Sequence, residues 1–297
     1  MNVIDQALLD ITSLKTQGAT NVALAVLDTL ETLLVQTPDI SVTSIQEIGK
    51  RLACARPTEP LAQNAIRYIF SNPTNQILPK IHEFRALIEK GEKLIPENGK
   101  QLILNKGTYL TLCHSSTTVA LFQKAYEAGI KFKLFISETR PRFQGRITAK
   151  ELLEAGLEDV TMIVDSVAVA LLESQEEKID AVFIGADLLS HTGFVNKIGS
   201  LSVAAAANRH DIPVYSLSTL LKFDPRTFEP KMIETRSPDE IWKDAPKNLK
   251  FFSPAFDFVP YLPNVHIICE EGVMKGEHIK DAVQKHFPFV FDNTHTA

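Results

Sequence analysis

IDAVFIGADLLSHTGFVNKIGS, residues 179–200, is the stretch that best indicates the fold of this chain. It begins with an apolar run, Ala181 to Ile184, that is dense enough for a strand buried on both faces. Gly185 ends this run and permits a tight turn with close backbone approach. Asp187 follows where the predicted strand gives way to a loop. Because ligands of open α/β sheets bind just outside the carboxyl ends of the strands, this loop is a candidate site.

A second polar cluster follows in the same stretch and consists of Asn196, Lys197, Gly199 and Ser200. Behind it, residues 201–207 are small, mostly apolar and prone to form a helix. A lysine near a helix start with free backbone N–H groups suits a phosphate. A capped helix after a strand, with Lys197 in solvent, explains the same residues, and composition alone favours that simpler interpretation.

The composition bounds the class of protein. The chain has 297 residues, of which 44% are apolar and 23% charged, as in soluble globular proteins of one large or two smaller domains. Its formal net charge of −5 argues against general nucleic-acid binding. No run of apolar residues is long enough to span a membrane, and the N-terminus lacks the pattern of a signal peptide. The cysteines, at positions 54, 113 and 269, are spaced for neither a disulfide framework nor a metal site, so we expect no metal and a cytoplasmic location.

The apolar periodicity divides the chain into two parts. Up to residue 98 the spacing predicts helices at residues 3–35 with an interruption at Gly18, at 44–55, from Pro60 onward, and at 79–91. Residues 96–100 contain a proline and a glycine and predict a break. We therefore place a domain boundary there, between a helical domain of residues 1–98 and a second domain of residues 99–297.

The second part alternates between short apolar runs and helical patterns, which is typical of a parallel, doubly wound α/β sheet. The apolar runs lie at residues 102–105, 108–112, 132–137, 160–164, 179–184, 213–217 and 265–269. Residues 223–263 carry many prolines and aromatic residues with weak periodicity. They predict a long loop, which we expect to lie at an interface.

Three further loops at predicted strand ends carry polar groups. Residues 111–118 supply hydroxyls and backbone N–H groups before a helix, which suits a phosphate oxygen, and the helix N-terminus would lower the pKa of Cys113. A helix cap beside an incidental buried cysteine is the alternative. Residues 137–146 hold three arginines and an acid, which suits an anion or a salt-bridged interface. Lys222 follows another predicted strand and is within reach of the same crevice.

The sequence lacks the common motifs of other enzyme classes. It contains no GxGxxG, no Walker motif, no HExxH and no serine elbow, so nicotinamide, nucleotide-hydrolysing and zinc-hydrolase functions have no support. The residues alone predict an α/β protein whose sheet edge holds a phosphorylated small molecule. Cys113 and Asp187 are the candidate proton carriers.

Several short motifs together carry a family resemblance. They are SETRPRFQGR (137–146), GAD (185–187), NKIG (196–199), PAFD (254–257) and EG (271–272), preceded by GA (18–19), RPT (56–58) and NAIR (64–67). In this order they resemble the translation initiation factor 2B alpha/beta/delta family, which includes regulatory subunits of that factor, methylthioribose-1-phosphate isomerase and ribose-1,5-bisphosphate isomerase. The resemblance implies a helical N-terminal domain on a Rossmann-like domain, and a homo-oligomer, either a dimer or a hexamer.

The resemblance also implies an enzyme branch. The isomerases are similar to this chain in having a cysteine at the position of Cys113 and an aspartate in the GAD motif, whereas the regulatory subunits generally lack that pair. The short N-terminal part and LKFDP (221–225) resemble the ribose-1,5-bisphosphate isomerases. The resemblance then implies that Cys113 accepts a proton, that Asp187 donates one, that the substrate is a phosphorylated pentose and that no cofactor is needed. The implied substrate-binding residues are Gln17, Gly18, Ala19, Thr20, Arg56, Ser115, Ser116, Thr117, Asn196, Lys197 and Lys222.

Two positions depart from the family pattern. The family's Arg-Gly-Ala is Gln17-Gly18-Ala19 here, which removes a cation expected near a phosphate, and the usual histidine before the cysteine is Leu112, with His114 after it. Either change can alter the substrate. The resemblance leaves open a nucleotide activator. It also leaves open the alternative of a non-catalytic, regulatory-subunit-like protein that binds a sugar phosphate or nucleotide.

Overall fold

The computed structural model describes residues 2–71, 76–174 and 176–292. The helices are α1 (Val3–Thr12), α2 (Ala19–Gln36), α3 (Val42–Ala53), α4 (Pro60–Phe70), α5 (Ile77–Lys100), α6 (Ser116–Glu127), α7 (Gln144–Glu154), α8 (Asp165–Ser174), α9 (Ser200–Arg209) and α10 (Ile279–His286). The strands are β1 (Thr108–Leu112), β2 (Lys133–Ser137), β3 (Val160–Ile163), β4 (Ala181–Gly185), β5 (Leu188–Leu189), β6 (Gly193–Lys197), β7 (Val214–Leu217), β8 (Phe256–Pro260), β9 (Val265–Cys269) and β10 (Gly272–Lys275).

Helix α2 is at the centre of the N-terminal helices. Its side chains Val22, Val26, Leu27 and Leu30 are fully buried, and they follow the helical spacing seen in the sequence. The predicted interruption at Gly18 separates α1 from α2. Gly18 has a φ of +85°, a left-handed conformation that glycine adopts without a steric penalty.

Helix α5 corrects one prediction. It continues from Ile77 to Lys100 through residues 96–100, so the predicted break there is wrong. The end of the helix is buried, and a Cβ on Gly99 would lie 3.0 Å from Leu121 of α6 and 3.1 Å from Ile268 of β9. Tertiary packing therefore outweighs the local signal for a break. The domain boundary between residues 98 and 99 stays a prediction.

The main sheet has the strand order β10-β9-β7-β4-β1-β2-β3, and every neighbouring pair is parallel except β9 and β10. Successive residues of β1 belong to different hydrophobic cores. Tyr109 packs with residues of α5, α6 and α7, and Leu110 packs with residues of α8 and α9. The predicted doubly wound α/β fold is thus confirmed. From β1 the chain builds β2 and β3 on one side and then returns to β4 on the other. The topological switch point, where such sheets bind ligands, therefore lies between β1 and β4.

A second, smaller sheet has the order β5-β6-β8 and was not predicted. Strand β8 lies inside residues 223–263, so the prediction of one long loop there is wrong. It pairs antiparallel with β6, and Lys197 lies opposite Phe256. The apolar run at 102–105 forms no strand. None of the described helices has the length and apolar character needed to cross a membrane.

Candidate active site

A cavity of about 470 Å³ opens at the carboxyl ends of β1 and β4, the switch point of the sheet. All of the predicted catalytic and substrate-binding residues line it: Gln17, Gly18, Ala19, Thr20, Arg56, Cys113, Ser115, Ser116, Thr117, Asp187, Asn196, Lys197 and Lys222. We call the part of the lining formed by residues 17–20, Arg56 and Glu59 the helical wall. The part formed by residues 113–117, Asp187, Lys197 and Lys222 is called the sheet wall.

Cys113 is the first residue after β1, and its backbone is held by the loop after β2 and by helix α7. Its N–H donates to Thr139 Oγ1 at 2.7 Å, and its carbonyl accepts from Thr148 Oγ1 at 2.8 Å. Its φ of +67° is unusual for a residue other than glycine and is typical of functional turns.

The protonation of Cys113 differs from the sequence prediction. Burial raises the pKa of the Cys113 thiol to about 11, although the charge of Lys197 lowers it. The prediction that the helix N-terminus would lower this pKa is wrong, because the cost of removing a thiolate from water outweighs the nearby positive charge.

Asp187 follows β4, and its backbone N–H donates to the carbonyl of Val195 at 2.8 Å. Burial raises the pKa of the Asp187 carboxyl, while Lys222, Lys197 and Arg56 lower it. This raised pKa agrees with the expected effect of burial on a carboxyl. Two residues earlier, a Cβ on Gly185 would lie 3.0 Å from the Ser115 Cβ. The predicted close approach is confirmed, and it brings the start of α6 against the end of β4.

Two lysines flank Asp187 on the sheet wall. Lys197 is 6% exposed, and its Nζ lies 5.0 Å from the centre of the Phe256 ring. The Nζ of Lys222 donates to the carbonyl of Ala186 at 2.8 Å. Burial lowers the pKa of Lys222, and the neighbouring carboxyl groups, Asp187 first, raise it. The sheet wall therefore combines two cations with one half-buried carboxyl.

Each wall also holds the N-terminus of a helix. Helix α2 begins after Gly18 without a side-chain cap, and α6 begins after Ser115, whose Oγ accepts from the Thr118 N–H at 3.4 Å. Free N–H groups and the positive end of the helix dipole attract anions. The cavity is therefore suited to negative groups at two places.

A chain of ion pairs along the helical wall was not predicted. Nη1 of Arg56 lies 2.7 Å from Glu59 Oε1, and its Nε and Nη2 donate to the two carboxylate oxygens of Glu234 at 2.9 and 3.2 Å. Arg236 contacts Glu234 in turn. The charge of Arg56 is thus already shared between two carboxylates. No sequence signal indicated this, because Glu234 is 178 positions away.

Glu59 is the most unusual of the residues that sequence reasoning missed. It is 1% exposed, and its Oε2 has no hydrogen-bond partner among the described residues. Burial raises the pKa of Glu59 to about 8, even though Arg56 lowers it. The one available signal was its position directly after the RPT motif. Other lining residues that were not assigned to the site are Lys15, Asn21, Glu92, His114, Arg142, Gln144 and Arg236.

Comparison with known proteins identifies the family of the chain. Residues 15–276 match the model of the initiation factor 2 subunit family. The chain belongs to the initiation factor 2 subunit family. The resemblance inferred from the motifs is therefore confirmed.

Members of the initiation factor 2 subunit family with two activities are similar to this chain. Over 301 residues it is 31% identical to the ribose 1,5-bisphosphate isomerase of Methanocaldococcus jannaschii, which covers 97% of this chain and 96% of that one. Over 263 residues it is 38% identical to the methylthioribose-1-phosphate isomerase of Fervidobacterium nodosum, covering 78% and 73% of the two chains. A solved Pyrococcus horikoshii structure, described as translation initiation factor eIF-2B, has the same fold, with a TM-score of 0.79, 24% identity and coverage of 92% and 96%.

Proposed function

We propose that this protein is a sugar-phosphate isomerase that converts ribose 1,5-bisphosphate, or a close pentose phosphate, to the ketose. One observation carries the proposal: Cys113 and Asp187 follow adjacent strands, β1 and β4, and line the same cavity as the lysines Lys197 and Lys222. The names of the similar isomerases support a sugar phosphate as the substrate.

The reaction needs one base and one acid. A sugar with phosphate on its anomeric oxygen cannot open to a free aldehyde. In the proposed first step the thiolate of Cys113 removes the C2 proton, a C1–C2 double bond forms, and the bond from C1 to the ring oxygen breaks as that oxygen takes the proton of Asp187. In the second step the C2 hydroxyl of this enol returns a proton to Asp187 and the thiol protonates C1, which gives the ketose. No other reactant is consumed.

The environments of the two groups bear on this assignment. The raised pKa of Asp187 favours the protonated carboxyl that an acid needs. The pKa of about 11 for Cys113 means that the thiolate is the minor form in the free protein at neutral pH. Lys197 is the neighbouring charge that favours the thiolate, so in this mechanism it supports the base.

The two phosphates are assigned to the two helix N-termini. One is proposed to bind residues 115–117 and Lys222 on the sheet wall, where charge-assisted hydrogen bonds are available. The other is proposed to bind the start of α2 at residues 18–20. Arg56 lies near this second place, but its charge is shared with Glu59 and Glu234.

Formation of the ketose from ribose 1,5-bisphosphate tests the proposal. We expect turnover by the wild type, and a loss of kcat of roughly 10²- to 10⁴-fold in both Cys113→Ser and Asp187→Asn, with an unchanged circular dichroism spectrum. Cys54→Ser, which changes an exposed cysteine outside the cavity, is the matched control and should keep full activity. Wild-type rates in Cys113→Ser or Asp187→Asn would rule out this mechanism. Binding without any turnover by the wild type would favour a regulatory, non-catalytic protein.

A further inference from the structure

Glu59 is a buried carboxyl group that the proposed mechanism does not use. It precedes α4 but does not cap it, because its side chain makes no hydrogen bond to the first turn. Its Oε1 contacts Arg56, whereas its Oε2 lacks a hydrogen-bond donor within the described residues. Buried polar atoms are nearly always hydrogen-bonded, so a carboxyl oxygen without a partner in the wall of a cavity indicates a missing ligand group.

A purely structural role does not account for Glu59. Glu234 already binds Arg56 through both of its carboxylate oxygens, at 2.9 and 3.2 Å. Glu59 adds a second carboxylate to the same guanidinium and remains costly to ionise, as its pKa of about 8 indicates. An additional salt bridge at this cost is a poor source of stability, since the desolvation of buried charges offsets their attraction.

The surroundings of Glu59 indicate what kind of group would meet it. Asp187 and Glu234 are the other acids that act on it, and Arg56 and Lys222 are the cations. A phosphate here would add negative charge beside three carboxyl groups. The carboxyl is also only 1% exposed, so it can be reached by a small group alone. A hydroxyl meets both conditions, because it is small, neutral and a hydrogen-bond donor.

We propose that Glu59 is a specificity-determining residue whose carboxyl forms a hydrogen bond with a hydroxyl of the sugar ring, which can donate or accept, so that a ring without this hydroxyl is rejected. This inference rests on the proposed function in its choice of ligand. Ribose 1,5-bisphosphate leaves the hydroxyls on C2 and C3 free, and one of these is the partner. A site built to bind a substrate hydroxyl discriminates strongly against the analogue that lacks it, because the buried acceptor is then left unpaired.

Calorimetric binding of ribose 1,5-bisphosphate and of its 2-deoxy and 3-deoxy analogues tests this inference, because binding requires no turnover. For the wild type we expect one deoxy analogue to bind roughly 10- to 100-fold more weakly than the parent compound. In Glu59→Ala this ratio should fall to about one, and in Glu59→Gln, which keeps a neutral acceptor, it should lie between the two. Glu92→Gln, a change in another carboxyl of the cavity wall, is the matched control and should keep the wild-type ratio.

The outcomes separate this inference from the proposed function. One outcome is that Glu59→Ala no longer distinguishes the deoxy analogue from the parent compound, while the wild type shows no turnover. This outcome would support the role of Glu59 and overturn the isomerase. Turnover with an unchanged ratio in both Glu59 variants would overturn only the role of Glu59, and a lowered melting temperature beside that unchanged ratio would identify a structural partner of Arg56. If Glu59→Ala does not fold, the near-isosteric Glu59→Gln decides. No measurable binding of ribose 1,5-bisphosphate to the wild type would overturn both.

Discussion

On the sheet wall, Lys197 and Lys222 form no ion pair with any carboxylate of the described residues, whereas on the helical wall Arg56 contacts both Glu59 and Glu234. The sheet wall therefore has positive charge available for an anion. The helical wall is close to neutral and relies on the N-terminus of α2 and on hydrogen bonds. The comparison indicates that the pairing of the cations, rather than their number, decides how much positive charge each wall offers to a ligand.

The largest expected effect concerns the raised pKa of Cys113 on the sheet wall. Because burial raises the pKa of Cys113 to about 11, its alkylation by iodoacetamide should accelerate about tenfold per pH unit from about pH 7 to about pH 10, roughly 10³-fold in all. Mass spectrometry of each cysteine peptide measures this, with exposed Cys54 as the reference for the reagent. A rate that is already constant above about pH 8 would mean that nearby positive charge outweighs burial.

The next effect tests whether charge on the sheet wall matters more than charge at the rim. Lys197→Met should lower kcat/KM by roughly 10- to 100-fold, since it removes a charge-assisted contact and raises the pKa of Cys113 further. Lys15→Met is the matched control: this lysine also lines the cavity, but its side chain is 71% exposed and pairs with Asp10. We expect less than about a twofold change there. Equal losses of kcat/KM in the two variants would mean that charge on the sheet wall matters no more than charge at the rim.

A smaller effect is expected from adding charge to the helical wall. Gln17→Arg should tighten the binding of ribose 1,5-bisphosphate by a factor of roughly 2 to 5, mainly at low salt, because it places a cation beside the start of α2. Titration with ribose 5-phosphate is the control and should show little change. An unaltered affinity for the bisphosphate would mean that residues 17–20 do not contact a phosphate.

The smallest effect on ligand binding is expected from a change that disrupts self-association. Phe252 is 90% and Trp242 53% exposed, and Ile241 and Leu249 are also exposed. Exposed apolar side chains within one segment are typical of an interface, so the homo-oligomer stays our prediction. Light scattering should detect an oligomer at micromolar concentration, and Phe252→Asp should weaken it while ligand affinity changes little. A wild-type monomer would contradict the prediction.

Thirteen residues that line the cavity were predictable from sequence, and so was the alternation of strands and helices. Buried runs such as residues 181–184 and the helical stripe of α2 depend on neighbours along the chain, which a single sequence displays. The loops after β1 and β4 meet because the carboxyl ends of parallel strands share one edge of a sheet. Motifs that are far apart in the sequence thus predicted a single site at that edge of the sheet.

Tertiary structure alone decided the continuation of α5 through Pro96, the pairing of β6 with β8, the partners of Arg56 and the protonation of Cys113. Each depends on groups that are distant along the chain but close in space. Packing against the sheet holds a helix where the local sequence predicts a break. Ion pairing requires the position of Glu234, and desolvation requires the full surroundings of the thiol. The sequence therefore indicated many residues that line the cavity but not which charges remain free within it.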